Sequence, residues 1–278
     1  MDSTPRAREA DGTPSDAEKK KPGLLAELWD TAKTIVFALL IAFVLRVFLF
    51  QPFTIPSASM EPTLTEGDYV IVSKFPYGYS GHSLALPWAP NLGSGRIGGG
   101  AIDRGDVVVF RTPLDNRTDL IKRVVGLPGD RIQVSGGMVT INGTPVNRVP
   151  LSPATVRSAF GDQEVQRYRE TLPGPGGLTI TTLDYGTDHP ADDTGVYVVP
   201  AGHYFMMGDN RDNSVDSRYS ARDGAPFLPA DNGVGFVPVE NIVGRADLIL
   251  ASWNPGASLF KPWTWFDLRE GRFFVRLP

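Results

Sequence analysis

Cysteine is absent from this 278-residue chain, and histidine occurs only three times. The missing thiol excludes a cysteine nucleophile, a disulfide framework and thiolate metal sites, and it suits an oxidising compartment. His82, His189 and His203 do not share a metal-binding spacing such as HExxH, so we predict no metal site and no cofactor. A formal net charge of −4 provides no basic face, and we therefore expect no nucleic-acid partner.

Large apolar side chains are almost missing from the first 22 residues, which are rich in Asp, Glu, Lys and Pro. Such a segment cannot bury enough surface to offset the entropy lost on ordering. We predict a disordered tail over residues 1–28. Over the whole chain, hydrophobic residues make up 41%, which fits a globular protein with a substantial core.

The stretch TIVFALLIAFVLRVFLF, Thr34 to Phe50, is apolar from Ile35 onward except for Arg46. Because roughly 20 helical residues cross a bilayer, we predict a transmembrane anchor over residues 29–53. A cleaved secretory signal would need small residues at a cleavage site, and LFQPFTIPS offers none. A buried soluble helix would usually show a polar face. Lysines precede the span, so the N-terminus is predicted to be cytoplasmic and the remainder exported across the plasma membrane.

Short β-branched runs separated by Gly and Pro dominate the chain after the anchor, among them DYVIVSK, DVVVF, LIKRVVG, HYFMMGD and NIVGRADLILAS. Gly136-Gly137 between two alternating runs predicts a hairpin. The pattern predicts an all-β, mainly antiparallel β-barrel or sandwich-like domain over residues 54–278. Residues 76–102 read as a long surface loop. The polar stretch 151–194 indicates a long hairpin or a smaller inserted β lobe, which we place at about 145–197.

A serine-bearing loop, IPSASMEPTL, follows the anchor. Pro56 and Pro62 stiffen it, which suits a nucleophile that must hold one geometry. Acyl transfer also needs donors for the developing oxyanion, and the Ser57 hydroxyl and the Ser59 N–H are candidates. A serine needs a base, and Lys122 on a predicted apolar strand is one if it points inward, because desolvation lowers a lysine pKa. A lysine pointing to solvent is the alternative.

The segment GDNRDNSVDSR, from Gly208 to Arg218, is dense in Asp, Asn, Arg and Ser. An EF-hand reading fails, because Arg211 and Ser214 stand where a ligand and a glycine belong. A solvated charged turn and a buried network that orders a site both remain open.

Taken together, PSASMEPTL, YVIVSK, GDVVVF, IKRVVGLPGD and GDNRDNSVDSR resemble the conserved boxes of bacterial type I signal peptidases, in the same order and behind a membrane span. The resemblance covers roughly residues 30–250. It implies that Ser59 is the nucleophile, that Lys122 is the general base, and that Ser57 completes the oxyanion hole with the Ser59 N–H. It also implies a supporting polar group: Ser214, which hydrogen-bonds the lysine amine, Arg123, which pairs with Asp209, and Arg211, Asp216 and Arg218.

The implied function is a membrane-anchored serine endopeptidase that cleaves N-terminal signal peptides from exported preproteins, with preproteins and the lipid bilayer as partners. A self-cleaving serine–lysine regulator would share the dyad but would ordinarily carry a DNA-binding helix-turn-helix. An inactive anchored β-domain that binds partners is the other alternative. The C-terminal aromatic residues, including Trp253, Trp263 and Trp265, either pack in the core or rest on the bilayer interface.

Overall fold

The computed structural model describes residues 23–84, 95–158, 161–174, 176–186, 188–220, 233–254, 256–257 and 261–278. The chain divides into two compact units, Met1–Phe43 and Val44–Pro278.

A single long helix, α1, occupies Leu24–Val44, and the chain continues as a π-helical turn over Leu45–Leu49. Within the described residues one helical segment, Glu27–Leu49, is long and apolar enough to cross a membrane. Helical structure therefore begins inside the predicted tail, since leucines at 24 and 25 already favour it. It also ends before the predicted limit of 53, because Phe50–Thr54 is a strand paired with Asp68–Ser73.

Strands are the main regular secondary structure of the second unit, and every pairing between them is antiparallel. In chain order they are β1 Phe50–Thr54, β2 Asp68–Ser73, β3 Val107–Arg111, β4 Asp119–Gly126, β5 Arg131–Ser135, β6 Met138–Ile141, β7 Thr144–Pro145, β8 Asn147–Ser158, β9 Gly161–Thr171, β10 Thr179–Asp184, β11 Tyr197–Val198, β12 His203–Met207, β13 Val237–Pro238, β14 Ile242–Ser252 and β15 Val275–Arg276. The predicted fold class, mainly antiparallel β, is confirmed.

The largest sheet has the order β1-β2-β14-β3-β4-β12-β13, with β15 paired to β14. Register shifts in β14 and β12 interrupt the ladder, and such bulges bend a sheet. One apolar cluster lies against this sheet and includes Ile55, Met60, Val70, Val109 and Ile121. The serine-bearing loop after β1 is therefore packed on the same core as the strand that carries Lys122.

Two smaller sheets complete the unit, with the orders β10-β9-β8 and β11-β5-β6-β7. The predicted Gly136-Gly137 hairpin is present between β5 and β6, and both glycines have positive φ, as a two-residue turn of this kind requires. Part of the stretch 151–194, for which we expect a long hairpin or a smaller inserted β lobe, forms the β8–β9 hairpin. Its polar residues hide the strand pattern, because much of this ribbon is exposed. The limits of 54–278 and about 145–197 stay predictions.

The segment 76–102, which we predict to be a long surface loop, contains buried residues in its described part. Residues 85–94 lie outside that part. Tyr77, Ser80, Ser83 and Ile102 are buried. Arg96 organises this region by donating to four backbone carbonyls, those of Tyr77, Gly78 and Val239 over 2.7–3.1 Å and that of Ile242. Near the C-terminus, Trp253 packs edge-on against Tyr69 with ring centroids 4.7 Å apart, whereas Trp263 and Trp265 are exposed.

Candidate active site

Ser59 lies in a single 3₁₀ turn, Ala58–Met60, just after β1. The turn closes through a hydrogen bond from the Glu61 N–H to the Ala58 carbonyl, 3.0 Å, and its last side chain, Met60, is anchored in the apolar cluster. Ser59 is only 7% exposed. A short turn bound to a packed core holds the serine hydroxyl in one place, as a nucleophile requires.

Lys122 lies on β4 opposite Val108 of β3, and its side chain points inward with 3% of the residue exposed. Its Nζ donates to Ser59 Oγ at 2.6 Å and to the Ile121 carbonyl at 3.1 Å. Burial lowers the Lys122 pKa from 10.5 to about 8, although the charges of Asp216 and Asp209 oppose the change. The amine is therefore neutral in an appreciable fraction of molecules near neutral pH. It is within proton-transfer distance of the serine.

Ser57 lies beside the dyad, with its Oγ 3.4 Å from Ser59 Oγ. Its backbone is extended, with φ −142° and ψ 156°, and its side chain is exposed. A hydroxyl next to the nucleophile can turn toward the oxygen that becomes negative during acyl transfer. The position suits the oxyanion role that the resemblance implies.

Asp209 and Arg123, which the resemblance places as partners, form a buried bidentate ion pair. Arg123 Nε and Nη2 donate to the two carboxylate oxygens of Asp209 at 2.8 and 2.7 Å. Thr63, four residues after the nucleophile, also donates to Asp209 at 2.5 Å. The pair links the strand residue next to Lys122 to the polar segment, so it contributes to the alignment of both.

Asp216 is the centre of a second buried group. It accepts hydrogen bonds from Arg218 Nε, at 2.9 Å, from Ser214 Oγ, at 2.8 Å, and from the Gly208 N–H, at 3.0 Å. Burial raises the pKa of Asp216, but Arg218 and the hydrogen bonds outweigh it, and the net pKa lies below the usual value. Asp216 is therefore a buried anion that acts on Lys122 through its charge.

The hydrogen bond expected between Ser214 and Lys122 is not formed in the described part of the chain, so that prediction is wrong. The Ser214 hydroxyl donates to Asp216, because a buried carboxylate is a stronger acceptor than any neutral group nearby. The lysine amine is held instead by Ser59 and by the Ile121 carbonyl. Ser214 reaches Lys122 only indirectly, by fixing Asp216.

Arg211 has its ion-pair partner outside the polar segment. Its guanidinium donates to Glu170 on β9 at 2.5 Å, and Arg148 lies 3.3 Å from the same carboxylate. Nothing in the sequence distinguishes Glu170, which stands in the charged run Arg167–Glu170. The polar segment is therefore a buried network, not a solvated turn, and it extends beyond its own residues.

Two further residues of this segment had no role from the sequence. A Cβ atom at Gly208 would overlap Ser214 Oγ and would lie 2.5 Å from the Ser59 carbonyl oxygen, so only glycine fits there. Asn210 donates its backbone N–H to the Ser59 carbonyl at 3.2 Å and its Nδ2 to the Ala58 carbonyl at 3.1 Å. Both residues lie inside the motif GDNRDNSVDSR, but nothing in that motif says which chain segment they touch.

A family model described as signal peptidase, peptidase S26, matches residues 28–253. A signal peptidase I of Rickettsia typhi is 36% identical over 263 residues, which covers 88% of this chain and 92% of the relative. One from Pseudomonas fluorescens is 43% identical over 229 residues, covering 81% and 73%. A crystal structure of a signal peptidase I from Enterococcus faecalis has 21% identity and a TM-score of 0.26 over 52% of this chain and 97% of that chain, and a score this low supports no conclusion.

Proposed function

The chain belongs to the signal peptidase I family, peptidase S26, a family of serine-type hydrolases, and we propose that it cleaves signal peptides from preproteins with a Ser59–Lys122 dyad. The observation that carries the proposal is the 2.6 Å hydrogen bond between the buried Lys122 Nζ and Ser59 Oγ. A serine hydroxyl is a weak nucleophile until a base removes its proton, and this amine is the group placed to do so.

In the proposed mechanism, neutral Lys122 takes the Ser59 proton while Oγ attacks the carbonyl carbon of the scissile peptide bond. Negative charge develops on the carbonyl oxygen, where the Ser59 N–H and the Ser57 hydroxyl stabilise it. The Lys122 ammonium then gives its proton to the departing amine, which leaves an acyl-enzyme on Ser59. A water molecule loses a proton to Lys122, attacks the ester and releases the signal peptide, and the proton returns to Ser59 Oγ.

The substrate is proposed to bind as an added β-strand. On one edge, Asp119–Lys122 of β4 pairs with β3, but β12 pairs with β4 only from Arg123 onward. No described strand occupies the other edge of Asp119–Lys122, which therefore offers backbone groups to an extended peptide. Ile55, Met60 and Ile121 belong to the buried apolar core beside this edge, and apolar surroundings of this kind suit the small side chains of an A-x-A cleavage site.

Membrane anchoring is part of the same proposal. The apolar segment Glu27–Leu49 would hold the enzyme in the bilayer, and Arg46 near its outer end can extend toward the interface. The lysines at 19, 20, 21 and 33 favour a cytoplasmic N-terminus under the positive-inside rule. The peptidase unit would then face the exported side, where signal peptides emerge.

The direct test is cleavage of a preprotein with an A-x-A site by the full-length chain in detergent. We expect Ser59→Ala and Lys122→Ala each to reduce the rate by about 10⁶-fold, as loss of the nucleophile or of the base does in a serine protease triad. Ser135→Ala, at an exposed serine on β5, is the matched control and should retain wild-type activity.

Robust cleavage by either dyad variant would contradict the proposal. Cleavage of the chain itself, without turnover of added preprotein, would favour the self-cleaving regulator. Binding of preprotein without any product from the wild-type chain would favour the inactive partner-binding domain.

A further inference from the structure

The side chain of Asn210 is completely buried between two ion-paired neighbours. Asp209 before it is held by Arg123, and Arg211 after it is held by Glu170. The backbone at residue 210 is therefore fixed from both sides, although Asn210 itself carries no charge. A side chain attached to such a rigid point can hold another segment in place.

The segment that Asn210 contacts is the turn carrying the nucleophile. Its Nδ2 donates to the Ala58 carbonyl at 3.1 Å, and its backbone N–H donates to the Ser59 carbonyl at 3.2 Å. The Ala58 carbonyl also accepts the Glu61 N–H at 3.0 Å, so both of its lone pairs are used. The two peptide units that flank the Ser59 Cα are thereby held by one residue 151 and 152 positions later in the chain.

A peptide unit is planar, and in the trans form its C=O and N–H point in opposite directions. The Ala58 carbonyl and the Ser59 N–H belong to the same unit. This unit is trans, since the one cis bond among the described residues joins Glu61 and Pro62. Fixing the Ala58 oxygen toward Asn210 therefore fixes the direction in which the Ser59 N–H points, away from Asn210.

We propose that Asn210 is a positioning residue that aims the Ser59 N–H at the developing oxyanion. The proposal rests on the serine–lysine mechanism above, and it adds an explanation of how the Ser59 N–H of the oxyanion hole is held in its orientation. Oxyanion donors act only when they meet the position of the negative oxygen, so a small rotation of this peptide unit weakens catalysis without removing the nucleophile or the base.

An amide at position 210 is needed for its N–H. Aspartate has nearly the same shape but presents only acceptor oxygens when ionised, and these would repel the Ala58 carbonyl. Within the described part of the chain, Asn210 Oδ1 accepts no hydrogen bond, so the contact with the turn is made by the amide nitrogen. The donor half is the feature that the turn uses.

The experiment compares Asn210→Ala and Asn210→Asp with Asn213→Ala as a control, all in the full-length chain in detergent. Asn213 lies in the same polar segment but is exposed. We expect kcat on an A-x-A peptide to fall about 10- to 100-fold in both Asn210 variants, with KM changed less than about twofold. In Asn210→Ala the pH at which activity declines on the acid side should stay at its wild-type value, because this substitution adds no charge near Lys122. The control should match the wild type.

Two ligands separate positioning from general structural damage. A peptide boronate forms a tetrahedral adduct with the serine and needs the oxyanion donor, whereas an uncleavable peptide of the same sequence does not. The boronate should bind more weakly by the same factor as kcat/KM falls, and the uncleavable peptide should bind as it does to the wild type. Titration with the boronate at high concentration counts active sites, so a partly unfolded preparation does not imitate the effect.

Normal kcat per active site in both Asn210 variants would overturn the proposal, as would equal weakening of both ligands. Ser59→Ala and Lys122→Ala belong in the same series. If those two are inactive while the Asn210 variants are normal, only this inference fails. If those two remain active, the serine–lysine mechanism itself fails.

Discussion

Replacing Lys122 with methionine is predicted to abolish activity and to stabilise the folded protein at the same time. The lysine is buried, and its pKa is lowered from 10.5 to about 8. At ~1.36 kcal/mol per pKa unit, that lowering means that folding with the charged ammonium costs about 3.4 kcal/mol. Methionine fills similar space without charge, but it gives up hydrogen bonds to Ser59 and Ile121 worth about 1 kcal/mol each. A net gain of about 1 to 2 kcal/mol remains.

The gain depends on pH in a defined direction. Below pH 8 the ammonium is present in both the folded and unfolded chains, and the wild type bears the full cost. Between pH 8 and 10.5 the unfolded chain binds more protons than the folded one, so wild-type stability rises with pH. The advantage of Lys122→Met should therefore be largest below pH 8 and should disappear, or reverse, as pH approaches 10.5.

Urea unfolding of the full-length chain in detergent, at several pH values from 6 to 10, measures the effect. Lys261→Met, at an exposed lysine, is the control and should show no such pH dependence. The kcat/KM of the wild type should rise with pH, reach half of its maximum near pH 8 and level off above that, as Lys122 loses its proton. A methionine variant that is less stable at pH 6, or an activity that is flat across the acid range, would refute the reasoning.

Three further changes have clear expected outcomes. Gly208→Ala should inactivate preprotein cleavage, because the added Cβ meets Ser214 Oγ and the Ser59 carbonyl; wild-type rates would contradict the packing. Ser57→Ala should lower kcat about 10²-fold with little change in KM, as removal of one oxyanion donor does, and a pure KM effect in steady-state kinetics would assign Ser57 to binding instead. Glu170→Ala leaves the buried Arg211 without its carboxylate partner, so the free energy of unfolding in urea should fall by about 3 kcal/mol. An unchanged unfolding midpoint would contradict this prediction.

The order of the strands along the chain follows from local patterns, which the sequence already contains. β-branched runs such as that of Val107–Arg111 favour strands, and two glycines with positive φ favour the tight hairpin at 136–137. For the polar stretch 151–194 the sequence left a long hairpin and a smaller inserted lobe open, because an exposed ribbon has no regular apolar alternation. The motifs around Ser59 and Lys122 were recognised through resemblance, since neither residue alone has a distinctive local pattern.

Only the tertiary structure decided which of these residues meet. Ser59 and Lys122 are 63 positions apart, and the curled sheet brings them within 2.6 Å. The same packing removes water from the lysine, assigns Ser214 to Asp216, and pairs Arg211 with Glu170. Partners of this kind follow from long-range contacts, and the energy of a buried charge depends on everything around it. Periodicity along the chain reports neither, which is why the sequence determines the strands and the fold determines the chemistry.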